Sequence, residues 1–398
     1  MAGKRLNGEG SIYFHEGRKL WCAQYIYKGK RKSVYGKTQK IVREKLSEKL
    51  KLIEQNIDID AQEMTLGEWL DYWLETYSRN TVRLSTYTAY EVAIRCHIKP
   101  KIGNVKLKKL TASVLQEFFN DEYKSGRIDG RGEGMSVKSL RNFYNLLHSA
   151  LQKAVETDVL IKNVIMGVQL PKSEVKEERV LSVDEQRKLL KAAREYPHKA
   201  GFAVVINLFT GMRIGEILAL QWCDVDEVNH TLRVSKTSGR LRTYDDSEPT
   251  ASRIIVGQPK SKNSNREIPL LGSLYDELME YKENQREKKA ASGLEFRETD
   301  TIICNRNFGI MDNRGFSKIF ENICRNADIP HANVHSMRHT FATRSLEAGM
   351  DVLVLSRILG HAQASTTLNK YGHCLPDHKR ESINKLTFLF DEMNSTDT

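Results

Sequence analysis

The sequence predicts a multidomain α+β chain: a small N-terminal three-stranded sheet with one helix, then an all-helical domain, then a mixed, mainly helical domain with a small antiparallel sheet. Three observations predict this. The 398 residues exceed one ordinary core, so two or three domains are expected. The apolar pattern changes along the chain, from short strand-like runs to helical stripes and then to a mixture of the two. Finally, a polar stretch led by proline, "PKSEVKEERV" (171–180), reads as a linker. The expected domains are 1–58, 64–170 and 180–398.

In the first domain "SIYF", "LWCAQYIY" and "KRKSVYG" read as strands, because the glycine-containing breaks "HEGRK" and "KGK" favour hairpin turns. "TQKIVREKLSEKLKLIEQ" follows as a helix with Ile41, Leu46, Leu50 and Ile53 on one face. The second domain opens on a capping box, Thr65 with Glu68, and an apolar stripe of Leu66, Trp69, Leu70, Trp73, Leu74 and Tyr77. Three more helical segments follow, interrupted by a glycine-rich break at 126–134. Those aromatic stripes are core rather than ligand-binding. The third domain starts on a second capping box, Ser182 with Glu185, and has strand-like runs between about 231 and 270.

Composition narrows the function classes. Hydrophobic residues make up 40% and charged residues 28%, the balance of a globular protein. No apolar run approaches the ~20 residues that span a bilayer, and "MAGKRLNGEG" lacks the apolar core of a secretion signal. The six cysteines (Cys22, Cys96, Cys223, Cys304, Cys324, Cys374) form no CxxC pair and, with no secretion signal, are expected to be reduced and structural in a cytosolic protein. Net charge is +11, and residues 1–55, with 14 Lys/Arg against 5 Asp/Glu, supply +9 of it. A polyanionic partner follows, and a basic sheet with interleaved Tyr and Trp is a credible DNA reader.

Four clusters in the third domain carry chemistry. "LFTGMRIGEILALQ" puts Arg213 in the first turn of a helix and Glu216 one turn on, an arrangement that suits an oxyanion or a plain ion pair. "RIIVGQPKSKNSNREIPL" has two strand-like runs around a turn at 263–265, with Lys260 and Lys262 at its rim. "HSMRHTFATR" places His335 and Arg338 three residues apart on a helical pattern preceded by Pro330 and Asn333. In "VLVLSRILGHAQASTTLNKYGH" an apolar helix ends at Gly360, as expected of a C-cap glycine, with His361 next and Tyr371 ten residues later.

Taken in order, R-x-G-E at Arg213/Glu216, H-x-x-R at His335/Arg338 and L-G-H…Y at His361/Tyr371 resemble the tyrosine recombinase (phage-type integrase) family. The layout is most similar to conjugative transposon integrases of Gram-positive bacteria. The resemblance implies a site-specific DNA recombinase that integrates and excises a mobile element. Its first domain would bind arm sites on double-stranded DNA, its second core sites, and its third would catalyse. Tyr371 would attack a scissile phosphate to form a 3′-phosphotyrosyl bond, and a 5′-hydroxyl of a partner strand would reverse the step without ATP. Arg213 and Arg338 would clamp the phosphate oxygens. Lys260, or else Lys262, would be the general acid, His335 would assist proton transfer at Tyr371, and His361 would hydrogen-bond the phosphate. No metal and no cofactor are implied. The resemblance further implies a homotetramer on DNA, the tail after Tyr371 docking in trans, with excisionase and DNA-bending accessory partners and no membrane.

The competing readings are a non-catalytic DNA-binding regulator and a DNA-relaxing type IB topoisomerase. An aligned nucleophile argues against the first and the basic N-terminal sheet against the second. A metal hydrolase on His335, His339, His373 and His378 is disfavoured, because "HSMRH" has Ser where zinc proteases carry Glu. His339 then has no chemical role and reads as structural.

Overall fold

The computed structural model describes residues 11–130, 132–172, 179–242, 252–257 and 265–371, together with 384 and 387. It has the expected mixture of helices and small antiparallel sheets, and the chain divides into two compact units, 1–175 and 176–398.

The first unit begins with strands β1 (Ile12–His15), β2 (Leu20–Tyr27) and β3 (Lys30–Gly36) in an antiparallel sheet of that order. Helix α1 (Gln39–Glu54) packs on it and starts where the Thr38 hydroxyl accepts from the Ile41 N–H. Side chains alternate across a strand, so Trp21, Ala23, Tyr25 and Tyr27 all point to one face and join Val42 and Leu46 of α1 in the core. The opposite face carries Tyr13, Cys22, Gln24, Ile26, Arg31, Ser33 and Tyr35, as the register places them. Ile41 departs from the expected helix stripe. It is 38% exposed and Val42 takes the buried position. The reason is that α1 presents its 42/46 edge to the sheet, a register that periodicity alone left one residue off.

Four main helical segments follow in this unit: α2 (Leu66–Trp73), α3 (Leu84–Ala93) continuing through a π turn into α4 (Lys99–Ile102), α5 (Ala112–Ser125) and α6 (Val137–Glu156). The Thr65–Glu68 capping box forms as expected. Leu66, Trp69 and Leu70 are buried, and the Trp69 indole donates to the Ala150 carbonyl at 3.0 Å. Buried Glu122 is hydrogen-bonded to His97 at 2.9 Å and lies 2.8 Å from the Lys101 ammonium, so the carboxylate is not left without compensation.

The second unit is organised around α8 (Phe202–Thr210) and α12 (Val334–Glu347), which pack on each other with α7 (Val183–Glu195) and α11 (Asn313–Asn326) alongside. The Ser182–Glu185 capping box starts α7. The short helix α9 (Ile214–Ile217) follows α8 directly. Strands β4 (Val225–Asp226), β5 (Thr231–Val234) and β8 (Arg266–Pro269) form one antiparallel sheet, and β6 (Thr237–Arg242) pairs with β7 (Ser252–Gly257) in a separate hairpin. The two strand-like runs around Lys260 therefore belong to different sheets. The turn between them, including Lys260, Lys262 and 263–264, lies outside the described residues. The long helix α10 (Gly272–Ala291) buries Lys282 and Lys289, each paired to carboxylates. The unit closes with α13 (Val352–Leu359) and α14 (Ala364–Tyr371).

Two left-handed glycines shape what comes next. Gly211 ends α8 at φ +60, and Gly360 ends α13 at φ +66. A Cβ at Gly211 would lie 2.3 Å from the Phe341 ring, so this position excludes side chains both by backbone angle and by space.

Candidate active site

Helix α13 ends in carbonyls that its own backbone does not satisfy, and three guanidiniums meet them. Arg266 donates from Nε to the Ile358 carbonyl at 2.5 Å. Arg338 donates from Nη2 to the Leu359 carbonyl at 2.7 Å, and from Nη1 to the Gly211 carbonyl at 2.7 Å. Arg213 reaches the Leu359 and Gly360 carbonyls at 3.5 Å. Cations belong at the negative end of a helix, so local electrostatics favours this gathering. Tertiary folding thus brings Arg213 and Arg338 together on α13, with His361 just beyond it.

Glu216 holds the cluster from below. It is 2% exposed, and its carboxylate accepts from Arg266 Nη2 at 2.7 Å, from Arg213 Nη1 at 3.0 Å and from the Arg213 backbone N–H at 3.0 Å. Arg213 itself is the N-cap of α9 with extended backbone, just ahead of the first turn where it was expected. Glu216 reaches back to that cap, which fixes the guanidinium at the helix start. Burial pushes the Glu216 carboxyl up, but the hydrogen bond and charge of Arg266, then the Arg213 N–H and charge, more than offset it. The group ends below its ordinary value of 4.5.

This gives a testable sign. A carboxyl with a depressed folded pKa contributes stability that is present above its unfolded pKa and lost as pH falls through the folded one. Glu216→Gln is expected to destabilise the protein by about 3 kcal/mol near neutral pH, because it leaves buried arginine charge uncompensated. The gap in melting temperature between the variant and wild type should close as pH drops below the ordinary carboxyl range. An unchanged gap down to acid pH would contradict the pairing.

Arg338 is 5% exposed on α12. Burial, then the neighbouring Arg213, presses on its charge, and Glu216 partly relieves it. His361 lies 3.1 Å from Arg338 Nη2 through Nε2 and 2.7 Å from Thr367 Oγ1 through Nδ1. A guanidinium only donates, so Nε2 is the acceptor and the imidazole proton sits on Nδ1, toward Thr367. Burial first, then Arg338 and Arg213, lowers the His361 pKa to about 4, so the ring is neutral near pH 7.

Tyr371, the last residue of α14, is 3% exposed and packs with Ala342, Leu346, Leu355 and Leu359. Its hydroxyl lies 2.6 Å from Nδ1 of His339, which is also buried. His335, by contrast, is exposed at the start of α12, while every residue from Ser336 to Thr340 is buried. The helix enters the core one residue after His335, so His335 and Arg338 sit in different surroundings despite their spacing. Two residues of the site had been missed or set aside. Arg266 gave no sequence signal, because its partners lie 50 and 92 positions away. The signal for His339 was its place directly after Arg338, on the stretch of the helix that enters the core. Among the described residues no group of three or more potential ligands could hold a metal ion; His373 and His378 lie outside them.

The site falls within residues 179–378, which match the phage integrase family; residues 65–123 match the SAM-like N-terminal domain of phage integrases. The chain is 30% identical over 370 residues to a XerC-like tyrosine recombinase of Caldanaerobacter subterraneus, covering 90% of this chain and 92% of that one. The chain belongs to the phage integrase family. It is also 26% identical over 403 residues to the transposase of transposon Tn916 from Enterococcus faecalis, covering 96% of this chain and 91% of that one. Its fold is that of the Tn1549 transposon integrase, solved in complex with a circular intermediate DNA, with a TM-score of 0.65 and 22% identity over 81% of this chain and 99% of that one.

Proposed function

We propose that the protein is a site-specific DNA recombinase of the tyrosine type, an integrase that inserts and excises a mobile element through a covalent 3′-phosphotyrosyl intermediate on Tyr371. The observation that carries this is the convergence of Arg213, Arg338 and His361 on the end of α13, with Tyr371 packed against the same helix. Attack on a phosphodiester accumulates negative charge on its non-bridging oxygens. Fixed guanidinium forks aimed at that charge stabilise the transition state without reorganising.

His361 fits the same scheme. Burial first, and then the cations around it, hold it neutral now, and a bound phosphate would offset the cations' field. The ring could then take a proton on Nε2 and donate to the phosphate. Lys260, outside the described residues, is assigned as the general acid that protonates the leaving 5′-oxygen. His335 lies at the exposed start of α12.

The substrate is double-stranded DNA bearing core and arm sites. In the first 58 residues the sheet face away from α1 offers Tyr13, Gln24, Arg31 and Tyr35, a polar and aromatic surface suited to base edges and phosphates. The helical segment 64–170 would hold core sites, and 180–398 would catalyse, in a tetramer whose C-terminal tails dock in trans.

A duplex nicked near the cleavage position tests the reading. The wild-type chain should trap a protein–DNA adduct that survives denaturing electrophoresis, with a chelator present or not. Loss of cleavage on chelation would contradict phosphate activation by arginines. A chain lacking residues 1–55 should still cleave core sites while losing arm-site binding in a gel shift. Undiminished arm-site binding would remove that role from the sheet.

A further inference from the structure

His339 is a buried histidine that this chemistry leaves unused. It follows Arg338 on α12, is 5% exposed, and sets its ring centroid 5.6 Å from that of Tyr371 at an interplanar angle of 48°. A phenol with an ordinary pKa of about 10 attacks poorly unless its proton has a destination. Neither of the other two histidines near the site meets that need. His335 is exposed, and both nitrogens of His361 are engaged, by Arg338 and Thr367.

We propose that His339 Nδ1, rather than His335, receives the Tyr371 hydroxyl proton when the DNA strand is cut. The inference rests on the reading of Tyr371 as the nucleophile. Across the 2.6 Å contact this transfer calls for the hydroxyl to donate to the Nδ1 lone pair, with the imidazole proton on Nε2. In the step, the Tyr371 O–H bond breaks and its proton passes to Nδ1. The phenolic oxygen forms the new bond to phosphorus, the bond from phosphorus to the 5′-oxygen breaks, and that oxygen takes a proton from the general acid. Rejoining runs the same transfers backwards, and His339 returns its proton to the tyrosine. Tyr371 lies near enough to Arg338 for its phenolate charge to bear on that guanidinium, so nucleophile and clamp share one electrostatic environment.

The test uses the full chain and two nicked duplexes, one with oxygen and one with sulfur as the 5′-bridging atom at the scissile phosphate. His339→Asn keeps a hydrogen-bond acceptor near the place of Nδ1 and lacks a basic nitrogen. Adduct formation on the oxygen duplex is expected to fall by about 10²-fold or more, with melting temperature and DNA affinity close to wild type. The sulfur duplex should not restore it, since a thiolate leaves without a proton and so rescues only a missing acid; Lys260→Ala is the variant it should rescue. Wild-type or faster cleavage by His339→Asn would overturn the proposal, and so would its rescue by sulfur. Should that variant unfold, His339→Ala with added imidazole replaces it: partial recovery of the rate supports the proposal and no recovery counts against it. Tyr371→Phe is run alongside. An adduct from that variant would mean that the nucleophile reading has failed, whereas a silent Tyr371→Phe beside an active His339→Asn would mean that only the role of His339 has.

Discussion

Tyr371→Phe is expected to form no covalent adduct with a nicked duplex while still binding it. The substitution removes one oxygen from a ring that packs with Ala342, Leu346, Leu355 and Leu359, and phenylalanine fills the same space. The fold should therefore survive. The cost is the hydrogen bond to His339, whose buried Nδ1 would lose its partner, a penalty of about 1–3 kcal/mol. A melting temperature lowered by a few degrees, normal DNA binding and no adduct would together separate the chemical role of the hydroxyl from its packing role. An adduct formed by this variant would show that another side chain attacks.

Arg338→Lys is expected to have the second-largest effect. Lysine keeps the positive charge but presents a single ammonium where the guanidinium spans two carbonyls, those of Gly211 and Leu359, and also touches His361. One ammonium cannot hold that span and also meet a phosphate. Cleavage should fall by about 10²-fold or more, the usual consequence of losing one fixed donor to a transition-state oxyanion. Binding of duplex DNA in a gel shift should change little, since affinity is spread over many phosphate contacts. A lysine variant that cuts at the wild-type rate would show that charge alone suffices there and that the fork geometry is idle.

The sequence made the local parts of this molecule readable. The Thr65–Glu68 and Ser182–Glu185 capping boxes involve groups three residues apart, and both form as read. Gly360 announced the end of α13 for the same reason, since a left-handed cap is a property of one residue and the turn before it. The order of Arg213, Arg338, His361 and Tyr371 identified the family without saying how the residues meet. What stayed hidden depends on contacts distant in sequence. Arg266 looked like any strand residue until β8 brought it beside Glu216 and the end of α13. His339 looked structural because its partner lies 32 residues on, in a helix whose packing periodicity does not encode. Ile41 shows the limit at short range: the stripe on α1 was legible, but which edge of it meets the sheet was decided by the sheet.

The carbonyls at the end of α13 bear on how firmly the site would grip a phosphate. Each of the three arginines already has a main-chain oxygen as a partner, and two of them also have Glu216. An incoming phosphate therefore meets guanidiniums whose charge is already partly compensated, through the N–H donors they have left, and does not rescue bare charges from a dry pocket. The gain on binding is correspondingly modest, and so is the loss on release. For strand exchange this is an advantage. The broken and joined states of DNA differ little in energy, and a clamp that held either state tightly would become the slow step. A site whose arginines rest on carbonyls is suited to handing a strand over rather than keeping it.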